Sequence, residues 1–179
     1  MKKILFLFAL ISTIYSCSLA DKFNGDDKLP PETQTGANTV GCLVNGKVFL
    51  PHQEGINPSV NCFYQFVDGE FYFTMNFADL RGTTNERVVI QTGKINLISG
   101  QTYNLNKNII ENVDYIGGGG LYSLSSTNRY YTNSIKIGEL KITRVDVSNS
   151  VISGTFWFDA INSEGEIVHI TEGRFDWDY

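Results

Sequence analysis

From Val40 onward, apolar and polar residues alternate in short runs broken by turn residues. In Phe71 to Phe77, "FYFTMNF", Phe71, Phe73, Met75 and Phe77 fall on one side of an extended chain, and Tyr72, Thr74 and Asn76 on the other. A period of two marks a strand with one buried face. Val60 to Val67 leads into it across Asp68-Gly69, and Val40 to Leu50 contains Asn45-Gly46. Asp-Gly and Asn-Gly between apolar runs signal hairpins, although at Asn45-Gly46 a bend within one strand is the alternative. Arg87 to Ile98 reads as one or two strands around Thr92-Gly93. Gln101 to Leu105 reads as a short strand, and Leu121 to Leu124 and Arg129 to Thr132 as weaker ones. The end of the chain is the clearest part. Gly138 to Val147, Val151 to Ala160 and Ile167 to Trp177 form an up-down-up meander through turns at Ser148-Asn149-Ser150 and Asn162 to Gly165. No ten-residue stretch keeps a helical period. The pattern predicts an all-β fold, a single antiparallel β-sandwich, with a small lipocalin-like β-barrel as the alternative.

One stretch resists that pattern. Gly117-Gly118-Gly119-Gly120 offers no side chains to alternate and reads as a flexible loop. A phosphate-binding loop is excluded there, because no Lys-Ser/Thr and no helix start follow the glycines.

Before Val40 the pattern changes character. Met1-Lys2-Lys3 precedes an apolar run from Ile4 to Ile11, the layout of a secretory signal and too short to cross a bilayer. Two cleavage sites compete. Ser18-Leu19-Ala20 suits a general signal peptidase cutting before Asp21. Ile14-Tyr15-Ser16-Cys17 resembles a bacterial lipobox, which implies lipid attachment to the thiol of Cys17. The second is favoured, since Cys17 closes an apolar region of suitable length and a polar segment follows. The expected organisation is a lipoprotein signal peptide over 1–16, an anchor and polar tether over 17–39, and a globular domain over 40–179. A flexible chain from Ser18 to Thr39 spans on the order of 25 Å. A multiply acylated Cys17 anchors stably to a bilayer, where a single chain does not. The expected location is the cell envelope after export, at the outer membrane.

Composition narrows the partners. The chain has 179 residues, 42% hydrophobic and 13% aromatic, enough for one domain with a sizeable core. Its net charge is −5 with the charges scattered, and loss of Lys2 and Lys3 with a leader makes it more acidic. Without a basic stripe it is no candidate for nucleic acid, nor for adsorbing to anionic lipid through its folded surface.

The two ends of the domain carry a resemblance. "LPPETQTGANTVGCLVNGKVFLP" (Leu29 to Pro51) and "SGTFWFDAINSEGEIVHITEGRFDWDY" (Ser153 to Tyr179) resemble a Bacteroidetes-type lipoprotein family of unknown function. That family joins a lipobox, a PP-x-T-x-x-G tether, a GC-x-VNGK first strand and an ITEGRFD end. The resemblance implies an exported lipoprotein and brings no catalytic or binding residues with it.

The remaining candidates come from residue chemistry. With Cys17 spent on lipid, Cys42 and Cys62 are an even pair in an oxidising compartment. A disulfide closing that loop contributes about 3 kcal/mol; two separate buried thiols are the equal alternative. His52 and His169 have no metal-ligand spacing, and no metal or cofactor is expected. The carboxylates, Glu172 and Asp176 among them, show no paired acid motif, so no catalytic residues are assigned. Trp157 and Tyr72 each point away from the Phe residues of their own strands and are candidate ligand-stacking aromatics. The expected role is a non-enzymatic binding or accessory module for carbohydrate, a small apolar ligand or an envelope protein. A polysaccharide hydrolase and a structural envelope component are the alternatives.

Overall fold

Two tight turns set the first pairings. β1 (Thr39–Val44) and β2 (Lys47–Phe49) meet at Asn45-Gly46, with φ of +49° and +79°. β3 (Val60–Val67) and β4 (Glu70–Asp79) meet at Asp68-Gly69, with φ of +51° and +88°. Two successive left-handed residues give the type I′ turn, whose twist matches that of the strands it joins. Both hairpins form, and the bend at Asn45-Gly46 is set aside. The chain continues through β5 (Glu86–Gly93), β6 (Thr102–Leu105), β7 (Gly117–Ser123), β8 (Arg129–Tyr131), β9 (Gly138–Asp146), β10 (Val151–Ile161) and β11 (Ile167–Asp178). The computed structural model describes residues 28–81, 85–111 and 114–179, and no helix occurs among them.

The strands form one path, β2-β1-β11-β10-β9-β6-β7-β5-β4-β3, with β8 joining β10 and β7. Pairing between strands is antiparallel except at β6–β7. The path folds over on itself. The β2-β1-β11-β10-β9 layer faces the β7-β5-β4-β3 layer, and rings meet across the gap: Phe73 with Phe175 at 5.6 Å, Phe77 with Phe156 at 6.3 Å, Phe49 with Phe77 at 5.7 Å between centroids. β2 and β3 end the path without pairing to each other, so the architecture is a sandwich and not a closed barrel. An isolated parallel bridge, His52 with Asp79, crosses that side.

Alternation places the core. Phe73, Met75 and Phe77 are fully buried, as are Val88, Ile90, Leu140, Ile142, Ile152, Phe158 and Ile170. Each such side chain contributes about 1.5–3 kcal/mol relative to exposure. The interior is therefore filled by the protein's own aromatic and aliphatic groups.

The four glycines are not a loop. Gly117 to Gly120 begin β7, in the middle of the sheet path. A Cβ on Gly119 would lie 2.3 Å from the carbonyl oxygen of Lys107, and one on Gly120 would lie 2.8 Å from the ring of Phe158. The amides of Asn106 and Lys107 donate to the carbonyl of Gly118, at 2.9 and 3.0 Å. The glycines let a neighbouring chain and a core ring approach the strand at backbone distance.

Candidate functional site

β10 buries Phe156 and Phe158 on its inner face and turns Trp157 outward, 39% exposed. A bulge shapes the surroundings. β10 pairs Phe156 with Gly173 and Phe158 with Ile170, so Trp157 faces two residues of β11, Thr171 and Glu172. Glu172 has φ of +50°, the left-handed conformation that an extra bulge residue takes. Directly paired residues share a face of the sheet. Glu139 therefore stands beside Trp157, and Thr102, Lys141, Thr155 and Arg174 form an adjoining row across β6, β9, β10 and β11.

These side chains line an open groove of about 500 Å³, and Glu32 closes part of its wall. The indole Nε1–H of Trp157 donates to Glu139 Oε2 at 3.3 Å. Arg174 donates through Nε to the carbonyl of Glu172 at 3.0 Å, and its Nη2 lies 3.4 Å from Glu172 Oε2. The groove thus combines an aromatic face, two threonine hydroxyls, three carboxylates and two cations, with Glu139 fixing Trp157 and Glu172 fixing Arg174.

Glu32 reaches the groove because the segment around it is docked on β11. Asp176, 1% exposed, receives the hydroxyl of Thr33 at 2.7 Å and the amides of Thr35 and Ala37 at 2.8 and 3.1 Å on Oδ2. Its Oδ1 receives the Gly36 amide at 2.9 Å and the Ser153 hydroxyl at 2.6 Å. Burial alone would raise this carboxyl's pKa. The hydrogen bonds from Ser153, Thr33 and the Thr35 and Gly36 amides outweigh it and hold the group well below the usual carboxylate range. Asn38 and Asp178 add a reciprocal pair, Asp178 N–H to Asn38 Oδ1 at 3.0 Å and Asn38 Nδ2 to Asp178 Oδ2 at 3.2 Å. The Arg144 guanidinium donates to the carbonyl of Gln34. The stretch expected as a tether is therefore, from Thr33 to Asn38, a strap belonging to the folded domain.

The profile of a domain of unknown function, DUF6252, matches residues 61–176. The chain belongs to the DUF6252 family. No curated protein and no solved structure matches it. The matched span runs from β3 to Asp176, so it holds Trp157 and the clamped carboxylate but not the strap that clamps it. The resemblance to an uncharacterised family therefore holds at that level.

Along the chain of this DUF6252 protein the other sequence candidates scatter. Tyr72 lies on the opposite layer, between Gln65 and Gly93 in the ladder, and shares no site with Trp157. Cys42 and Cys62 are both free in this structure. β1 is next to one end of the strand path and β3 is the other end. Burial raises both thiols, Cys62 to about 12. Cys17 lies outside the described residues. His169 pairs with Asp159 at 2.7 Å, and His52 lies 3.5 Å from Asp79, in separate places. Asn162 and Glu166 are used within a hairpin turn, where Asn162 Oδ1 accepts the amides of Glu164 and Glu166. Sequence reasoning missed Glu32, Glu139, Lys141 and Arg174 as neighbours of Trp157. The polar positions of Glu139-Leu140-Lys141 alternate with apolar ones, which marks them as outward. Their meeting with Trp157 depends on the order of β9, β10 and β11.

Proposed function

We propose that the protein is an exported lipoprotein, held at the outer membrane through an acylated Cys17, whose Trp157 groove binds carbohydrate without turning it over. The observation that carries the binding reading is the outward indole of Trp157 beside a row of hydroxyl, carboxylate and cationic groups. An exposed aromatic face suits the apolar face of a sugar ring, and convergent donors and acceptors suit its hydroxyls. The filled interior supports a surface ligand over a small apolar one held between the sheets. Glu139 bonds the indole and Glu172 faces Arg174, which commits both carboxylates to shaping the groove and supports a binding role over hydrolysis.

The anchor reading rests on the lipobox-like Ile14-Tyr15-Ser16-Cys17 and the lipoprotein-like motifs at both ends of the domain. The strap fixes where the chain leaves the domain. Leu29 and Pro30 already pack beside Gly41, so the roughly twelve residues from Cys17 to Leu29 reach at most about 42 Å, which keeps the domain close to the membrane.

A panel of bacterial and dietary glycans tests the binding reading. Wild type retains at least one oligosaccharide intact, and Trp157→Ala loses it at an unchanged unfolding midpoint. Retention of none overturns the reading, and cleavage abolished in Glu139→Gln assigns a hydrolase instead. Intact-mass analysis tests the anchor. Wild type carries acyl mass on a chain starting at Cys17, and Cys17→Ala does not. Two identical soluble chains starting at Asp21 overturn it.

A further inference from the structure

A second groove, of about 610 Å³, opens on the outer face of the other layer. Its centre is set by strand register. Arg87 of β5 pairs with Ser123 of β7, and Ser123 pairs with Arg129 of β8. Directly paired residues share a face, so both arginine stems rise on either side of one serine. Two strand spacings separate their Cα atoms by about 10 Å, and side chains of that length reach a common point above Ser123. The neighbouring row, Val88, Tyr122 and Tyr130, is buried in the core, which confirms that the arginine row faces outward.

The two arginines keep hydrogen-bonding capacity to spare. Arg87 Nη1 donates to Asn76 Oδ1 at 3.1 Å, which leaves most of its five N–H groups open. Among the described residues neither Arg87 nor Arg129 forms an ion pair. Glu86, next to Arg87, lines a different groove with Asp79 and Tyr122, and Glu54 shares a neighbouring groove with Arg87 without pairing to it. Two like charges line one groove, and a chain of net charge −5 has carboxylates to spare. Leu121 and Ile110 add apolar wall to the same groove.

We propose that this groove binds a small organic anion, with Arg87 and Arg129 gripping a carboxylate, sulfate or phosphate group above Ser123 and with Leu121 and Ile110 taking its apolar body. Forked, charge-assisted hydrogen bonds from arginine suit all three oxyanions. The site lies on the opposite layer from Trp157 and stands independently of the carbohydrate reading.

The test is titration of the full chain with phenyl phosphate, phenyl sulfate and benzoate, beside inorganic phosphate and phenol, followed by amide NMR shifts. At least one aryl anion gives saturable shifts at Ser123 to Ser126 and Arg129, and phenol gives none there. Which aryl anion binds most tightly identifies the head group. Arg129→Gln, at an exposed position, leaves the rest of the spectrum unchanged and weakens that anion about tenfold or more, as loss of a charge-assisted bond requires. Shifts that stay linear for every aryl anion, or equal affinity in Arg129→Gln, overturn the proposal. Inorganic phosphate binding as tightly as phenyl phosphate overturns the role given to Leu121 and Ile110.

Discussion

The backbone N–H of Thr35 donates to Oδ2 of Asp176 at 2.8 Å, across 141 residues of chain. This contact makes the N-terminal strap and the C-terminal strand one structural unit. It explains why two distant motifs, PPETQTG and GRFD, belong together: one supplies the donors and the other the acceptor. It also carries Glu32 to the wall of the Trp157 groove.

Asp176→Asn is expected to destabilise the protein by about 2–4 kcal/mol. An amide cannot replace this carboxylate in either orientation. Its NH2 group must face the Gly36 amide on one side or the Thr35 and Ala37 amides on the other. Urea unfolding measures the loss. Ser153→Ala, which removes one donor, costs less, about 1 kcal/mol.

Acid stability follows from the same group. Its pKa is lowered on folding, so the folded state binds fewer protons than the unfolded one between the two values. The stabilisation is complete above the unfolded pKa of about 3.9 and is lost as pH falls through the folded value. Asp146, lowered to about 2 by Asn149 and Arg144, acts in the same direction. The urea midpoint is expected to stay level from neutral pH to about 5 and to fall steeply below about 4. Asp176→Asn flattens that fall; an unchanged slope in the variant contradicts the assignment.

Gly119→Ala is expected to cost about 3 kcal/mol or more, since its Cβ would sit 2.3 Å from the carbonyl oxygen of Lys107. Gly165→Ala is the control. That glycine has open space around it and pays only for its φ of +86°, a cost of about 1 kcal/mol. Thermal unfolding of the two variants separates the effects.

Both domain cysteines are expected to carry free, slow-reacting thiols. Non-reduced protein treated with iodoacetamide stays unmodified at Cys42 and Cys62 while folded and gains two carbamidomethyl groups there once unfolded. Mass unchanged after unfolding indicates a disulfide.

Where residue chemistry is local, the sequence was readable. Asn45-Gly46 and Asp68-Gly69 demand left-handed turns by themselves, and the alternation in Val151 to Ala160 faces Phe156 inward and Trp157 outward. Where the reason is distant, it was not. Gly117 to Gly120 look like a loop until the chain at Lys107 and the ring of Phe158 come against them. Thr33 to Ala37 look like a linker until Asp176 gathers their donors. The choice between sandwich and barrel rests on β2 and β3 failing to meet, which no local pattern encodes. For the candidate site, Trp157 itself was legible, whereas Glu32 depended on the strap and Glu139, Lys141 and Arg174 on strand order.

The carbohydrate reading is tested most directly at the indole. Of the two tryptophans, Trp177→Phe leaves Trp157 as the sole indole emitter. Titrating that variant with the oligosaccharide best retained on the glycan panel should give a saturable change in Trp157 emission, with the same affinity that calorimetry measures. Calorimetric binding with unchanged Trp157 emission would place the ligand elsewhere and contradict the account.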